Sequence, residues 1–220
     1  MQGSVGPLVS HYFDDDPGAP SAPRSVALVL PDLAVQLTTD TGVFGRSVVD
    51  PGTRLLLLEG PPIPPEGHLL DLGCGYGPIA VALATRAPAA TVWAVDVNRR
   101  ALDLTAANAA ATGCTNVRVA LPDDVPDDVR FAAIRSNPPI RIGKVALHDL
   151  LSRWLARLAP GGDAVLVVHK HLGADSLAAW LDRAGHPTER LVSRMGYRLL
   201  SVSGGATSAV DGVTAGADLS

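Results

Sequence analysis

The 220-residue chain has only two cysteines, Cys74 and Cys114. Neither has a partner at metal-ligand spacing, and two such residues make no disulfide framework, so a stapled secreted scaffold and a cysteine-built metal centre are both excluded. No apolar run reaches the roughly 18 residues that a membrane-spanning helix requires. The opening Met1-Gln2-Gly3-Ser4-Val5-Gly6-Pro7 lacks the basic start and apolar stretch of a secretory signal. A cytoplasmic protein with no membrane partner and no metal is therefore expected. Net positive charge is missing too: the formal charge is -4, which argues against indiscriminate attraction to polyanions.

The charges that are present fall unevenly. Residues 130–198 hold eleven basic side chains against five acidic ones, a net of +6, which leaves -10 for the rest of the chain. Asp14-Asp15-Asp16 and the run from Asp123 to Asp128 supply much of that negative charge. A basic second half would suit contact with phosphates, and the same arginines would equally serve as helix caps and solvated surface. With 47% hydrophobic residues, the chain has enough apolar material for one sizeable core.

Periodicity orders the chain as alternating elements. Ser25 to Leu30 and Leu33 to Thr39 read as strands of a hairpin around Pro31-Asp32, and Asp50-Pro51-Gly52-Thr53 reads as a helix start. From His68 onward, strands and helices alternate in the rhythm of a parallel sheet. Expected strands are His68 to Leu70, Thr91 to Val97, Asn116 to Ala120, Phe131 to Ser136 and Ala164 to His169. Expected helices run from Pro78, from Arg99 to Thr112, from Val145 to Leu158 and from Ser176 to Ala184. Pro160-Gly161-Gly162 reads as a turn. Glu189 to Ser193 and Tyr197 to Val202 make a closing antiparallel pair, giving seven core strands. The Gly-, Ala-, Ser- and Thr-rich tail has no periodicity to bury and is expected to be disordered.

Two motifs carry chemistry. Asp71-Leu72-Gly73-Cys74-Gly75-Tyr76-Gly77 follows a strand and opens a helix with Pro78 at its first position. A glycine turn of this kind alone also fits dinucleotide enzymes. Here the glycines alternate, outside the G-x-G-x-x-G register, and Asp71 stands where a pyrophosphate would lie, so anion would face anion. A zwitterion with an ammonium and a sulfonium tolerates that carboxylate, and S-adenosylmethionine fits. The expected cofactor contacts are Asp71, Gly73, Cys74, Gly75, Asp96, Val97 and Asp123. Asp96, 25 residues after Asp71, would clamp the ribose hydroxyls or else cap the helix beginning near Arg99. Asp123 would accept from the adenine amino group, with Asp124 as its rival.

The second motif, Asn137-Pro138-Pro139-Ile140, comes 66 positions after Asp71 at the end of the fourth core strand. Its prolines stiffen the backbone, so the Asn137 side-chain carbonyl and the Pro138 carbonyl form a fixed pair of acceptors for a planar amino group. Such a nitrogen is a poor nucleophile. Alignment with the sulfonium methyl would supply most of the rate, and Ile140 would wall the pocket. The catalytic assignment is therefore Asn137, Pro138, Pro139 and Ile140. Two histidines, His169 and His171, flank Lys170 after the fifth strand and would sooner touch a substrate phosphate than a metal. Tyr12, Phe13 and Phe44 would either cover the cofactor or simply pack.

On these motifs the chain resembles the class I S-adenosylmethionine-dependent methyltransferases, in the small-domain group related to ribosomal RNA small subunit methyltransferase C. Further segments of the same pattern appear in order: His11-Tyr12-Phe13, Thr38-Thr39-Asp40-Thr41-Gly42-Val43-Phe44, Asp50-Pro51-Gly52-Thr53-Arg54-Leu55-Leu56, Arg141-Ile142-Gly143-Lys144 and Gly196-Tyr197. The resemblance implies an α/β, Rossmann-like sheet of seven mostly parallel strands with an antiparallel last strand, plus a small N-terminal β-hairpin. It divides the chain into an N-terminal segment 1–24, a hairpin and helix 25–65, a methyltransferase core 66–203 and a tail 204–220. It also implies methylation of guanine N2 in ribosomal RNA, with ribosomal RNA or a ribosomal subunit as partner. A glutamine side chain of a protein offers the same amide donors, although those enzymes generally carry an aromatic residue where Ile140 stands, and a small-molecule amine is a further alternative substrate. The chain departs from the family at Phe131-Ala132-Ala133-Ile134-Arg135, where an acidic and an apolar residue are usual, which leaves a cofactor-binding protein without activity as a further alternative.

Overall fold

The computed structural model describes residues 20–45 and 47–204. Tyr12, Phe13 and nearly all of the tail expected to be disordered lie outside them. Strands β1 (Arg24–Leu30) and β2 (Leu33–Thr39) form the N-terminal hairpin, and their alternation turns Val26, Leu28, Leu30 and Leu37 inward. Helix α1 (Pro51–Glu59) starts where the sequence predicts: the Asp50 carboxylate accepts from the Thr53 amide at 3.0 Å, and Pro51 fills the first helical position.

The core follows as β3 (His68–Leu72), α2 (Pro78–Arg86), β4 (Thr91–Val95), α3 (Arg99–Ala111), β5 (Val117–Ala120), β6 (Phe131–Ser136), α4 (Lys144–Leu155), β7 (Leu158–His169), α5 (Ala174–Arg183), β8 (Thr188–Arg194) and β9 (Tyr197–Ser203). The seven strands lie in the order β5-β4-β3-β6-β7-β9-β8. The first five are parallel, while β9 enters antiparallel between β7 and β8. Strand order reverses between β3 and β6, the place where open α/β sheets hold ligands at their carboxyl ends.

Both faces of the sheet are covered, so its strands read as continuous apolar runs. Leu69, Val92, Ala94, Ala133, Val165 and Val167 join the cluster formed with α1, α2 and α3. Their neighbours Leu70, Trp93, Ile134, Leu166 and Val168 join the cluster formed with α4 and α5. There Phe131 and Trp154 meet with ring centroids 5.9 Å apart, both wholly buried. Burial of each such ring stabilises the fold by about 3 kcal/mol.

Two expectations are corrected. Strand β7 begins at Leu158, not Ala164, and Pro160-Gly161-Gly162 is no free turn. Phe131 pairs with Leu158 and Ala133 with Asp163, so the intervening residues bulge out of the ladder. A side chain on Gly162 would stand 2.7 Å from the Phe131 carbonyl oxygen, so only glycine permits that close approach. The Arg135 departure also has a partner. Its buried guanidinium donates to Asp163 at 2.8 Å and to the Ile134 carbonyl at 3.0 Å. Because Asp163 is the register partner of Ala133, the side chain reaches back along β6, away from the carboxyl edge.

Candidate active site

The glycine turn between β3 and α2 is held from below and behind. Gly73 and Cys74 donate to the Val95 carbonyl at 2.8 and 3.1 Å, and Gly75 donates to the Asp96 carboxylate at 3.0 Å. Helix α3 pins the other side: Thr105 donates to the Gly75 carbonyl at 2.9 Å and Asn108 to the Tyr76 carbonyl at 2.8 Å. Gly77 has φ +88°, and a β-carbon there would lie 2.8 Å from Thr105. Thr105 and Asn108 escaped the sequence reading. Their signal is two polar residues three apart on the inward face of α3, both buried.

Asp71 does not line the cavity. It is wholly buried beneath the turn, where one oxygen accepts from the Ala80 amide at 2.8 Å, in the first turn of α2. The helix is thus capped from the strand, since Gly77 at the cap position has no side chain. Its other oxygen has no partner among the described residues. Burial, with the nearby Asp96 charge adding, pushes the Asp71 carboxyl up to about 8 against the restraining Ala80 hydrogen bond. The helix N-terminus that would greet a pyrophosphate is already occupied by a carboxyl group.

Above this turn opens a cavity of about 690 Å³. Gly73, Cys74, Gly75, Asp96 and Val97 line it, as do Asn137, Pro138, Pro139 and Ile140. Asp96 lies just past β4, with its oxygens accepting from Gly75 and from the Asn98 amide at 3.0 Å each. Burial raises its carboxyl. The Val97 amide also donates to this carboxylate, which keeps acceptor capacity for a hydroxyl. Capping of α3 falls to Asn98, whose side chain accepts from Arg100 at 3.0 Å. Burial likewise pushes the Cys74 thiol upward, reinforced by Asp96 and Asp71, so it is no nucleophile. Asp123 is displaced from the expected place. Its carboxylate, 89% exposed, pairs with Arg153 at 2.8 Å, and Pro122 lines the cavity instead.

At the end of β6, Asn137 is fixed by residues far away in sequence. Its amide nitrogen donates to Asp50 at 2.8 Å and to the Thr53 hydroxyl at 3.0 Å. That assignment leaves the carbonyl oxygen of Asn137 as a free acceptor. The Pro138 carbonyl already accepts from Ile140 at 2.8 Å and keeps one lone pair. Tyr197 donates to the second Asp50 oxygen at 3.5 Å and meets His169 edge-on, with ring centroids 4.9 Å apart. Asp50, Thr53, Tyr197, His169 and His171 all line the same cavity. Phe44 lines it while remaining half exposed. Arg141 sits at its rim, and the exposed Lys144 and Lys170 are chain neighbours of these lining segments. Several other arginines of the basic half, Arg135, Arg153, Arg190 and Arg194, are engaged in ion pairs.

The lining suits a nucleoside carrying a zwitterionic chain. Val43, Ile79, Val95, Val97, Ala101 and Pro122 give flat apolar walls, and Asp96 offers acceptors for vicinal hydroxyls. The buried Tyr76 hydroxyl lacks a partner among the described residues. Burial and the Asp50 charge both push that hydroxyl upward, keeping it a donor. Among the described residues no three His, Cys, Asp or Glu side chains are placed to hold a metal, and no helix is long and apolar enough to cross a membrane.

A site that admits such a donor and refuses a dinucleotide is that of the S-adenosylmethionine-dependent methyltransferases, and this is the class of the enzyme. The profile of the methyltransferase small domain family matches residues 34–201, and the chain belongs to that family. It is 34% identical over 198 residues to the uncharacterized protein YbxB of Bacillus subtilis, covering 88% of this chain and 98% of that one. It is 33% identical over 192 residues to ribosomal RNA small subunit methyltransferase C of Pseudomonas aeruginosa, covering 84% of this chain but only 56% of the relative. Among solved structures, the T. thermophilus 16S rRNA N2 G1207 methyltransferase in complex with AdoMet and guanosine superimposes with a TM-score of 0.70. Identity there is 24%, with 84% of this chain and 51% of the other covered, a likeness of fold.

Proposed function

We propose that this enzyme methylates the exocyclic N2 amine of a guanine in ribosomal RNA, free or in a ribosomal subunit. The observation that carries the reading is the orientation of Asn137. With its NH2 held by Asp50 and Thr53, its carbonyl and that of Pro138 are left to accept from a planar amine beside the nucleoside end of the cavity. Bound S-adenosylmethionine supplies an electrophilic methyl on a sulfonium. In this reading Asp96 takes its ribose hydroxyls, Gly73 to Gly75 and Val97 give backbone surface, and Ile140 packs against the substrate ring. The stiff prolines hold the amine in line for attack, so positioning does most of the work. The name of the longer relatives supports an RNA substrate, and the guanosine bound by the T. thermophilus enzyme supports the choice of amine.

The test is tritiated methyl transfer to small subunits, large subunits, naked ribosomal RNA and total protein in parallel. Label in RNA at guanine N2 is expected, with Asn137→Ala lowering turnover by about tenfold or more and leaving S-adenosylhomocysteine affinity within twofold. Label in protein alone would replace the RNA reading with an amide substrate.

A further inference from the structure

Methylation of an amine raises a need that the Asn-Pro-Pro motif does not meet. As the nitrogen lone pair forms the new bond to carbon, the carbon–sulfur bond breaks and sulfur keeps its electron pair. The nitrogen is then left cationic and must shed one proton. Asn137 and Pro138 offer neutral acceptors that orient the amine and take no proton.

The cavity contains a group that can. Only two carboxylates line it among the described residues, Asp50 and Asp96. Asp96 is held between the glycine turn and the start of α3, accepting from the Gly75 amide on one oxygen and from the Asn98 amide on the other. Asp50 stands beside Asn137, 2.8 Å from its amide nitrogen. Its first oxygen is engaged by Thr53 and Asn137 at 3.0 and 2.8 Å. Its second oxygen receives only the long 3.5 Å contact from Tyr197, leaving acceptor capacity next to the amine-binding end. Since Asn137 donates to Asp50, the carboxylate also polarises that amide and strengthens its carbonyl as an acceptor.

We infer that Asp50 is a catalytic residue: its free carboxylate oxygen shares with the Asn137 carbonyl one of the two N–H groups of the substrate amine and accepts that proton as the methyl arrives. Thr53 acts as a positioning residue, holding Asn137 from the other side. This rests on the amine-methylation reading above, and its test separates the two.

The probe is the pair guanosine and inosine, which differ by the N2 amine alone, titrated calorimetrically into S-adenosylhomocysteine-saturated protein. Asp50→Asn keeps a carbonyl for Thr53 and Asn137, so unchanged S-adenosylhomocysteine affinity certifies the fold. Wild type is expected to prefer guanosine by about fivefold or more, and Asp50→Asn to keep only the smaller part of that preference owed to the Asn137 and Pro138 carbonyls. Single-turnover methylation should fall by about 100-fold in Asp50→Asn with substrate affinity changed far less. Formate should restore part of the turnover of Asp50→Ala and none of that of Asn137→Ala. A wild type that methylates guanine while Asp50→Asn retains full turnover and an undiminished guanosine preference would overturn this inference alone. A wild type that neither discriminates the nucleosides nor methylates RNA would overturn the reading on which it rests.

Discussion

Replacing Gly52 by alanine tests how the reaction end of the cavity is assembled. Gly52 sits in the first turn of α1, and a β-carbon there would stand 2.6 Å and 2.7 Å from two ring carbons of Tyr197 and 2.9 Å from Asp50. Carbon atoms rest about 3.6 Å apart, so the ring or the helix start must move by about 1 Å. Overpacking of that size costs roughly 1–3 kcal/mol, partly offset by the 0.5–1 kcal/mol that alanine gains over glycine in a helix. Urea denaturation should show a net loss of about 1–2 kcal/mol. A displacement of about 1 Å in the Tyr197–Asp50–Asn137 chain should cost turnover about 100-fold. Tyr197→Ala supplies the control. With the ring gone the two closest contacts are removed and the one with the Asp50 oxygen stays, so Gly52→Ala should then cost clearly less, by about 1 kcal/mol. The reasoning is refuted if Gly52→Ala costs the same with and without the Tyr197 ring, or leaves turnover intact.

Asp71 gives a pH signature. Its carboxyl is raised in the fold to about 8 from 3.8, so the unfolded chain sheds this proton first. Stability is therefore expected to fall as pH rises between roughly 4 and 8, by up to about 1.4 kcal/mol per unit. Asp71→Asn should remove that slope while keeping the acceptor for Ala80; parallel curves for mutant and wild type would sink the assignment. Asp163→Ala should destabilise by about 3 kcal/mol, because it strands the buried Arg135 guanidinium, whereas Arg135→Met with Asp163→Ala should recover most of that loss. Denaturation midpoints decide it: a double mutant no better than Asp163→Ala means the pair is not coupled.

Much of this was legible in the chain. The apolar runs bounded by glycine and proline placed the central strands within a few residues, and the two motifs fell at the carboxyl edge because strand ends and turn residues are local signals. Asp96 was readable for the same reason. What local signals could not show is a second job for a residue with an obvious first one. Asp50 reads as a helix cap, which it is, and nothing nearby reveals that the same carboxylate holds Asn137, 87 positions on. Asp71 was misplaced because its position before the turn suggested a ligand, whereas the helix lacking a cap side chain claimed it. Asp123 looked free until Arg153 was brought beside it. Pro160-Gly161-Gly162 announced a turn, and strand pairing with β6 converted it to a bulge.

The late arrival of β9 bears on how the protein is made. Among the described residues this strand is the last of the sheet in sequence, yet it lies inside, with β7 on one side and the edge strand β8 on the other. It also delivers Tyr197 to Asp50. Sixty residues separate Asn137 from Tyr197, which translation at about 5–20 residues per second adds over roughly 3–12 s. Through that interval the nascent chain carries its cofactor turn and its Asn-Pro-Pro segment with β7 open along one edge. Methyl transfer is therefore a property acquired only once β9 has slid into the gap between β7 and β8.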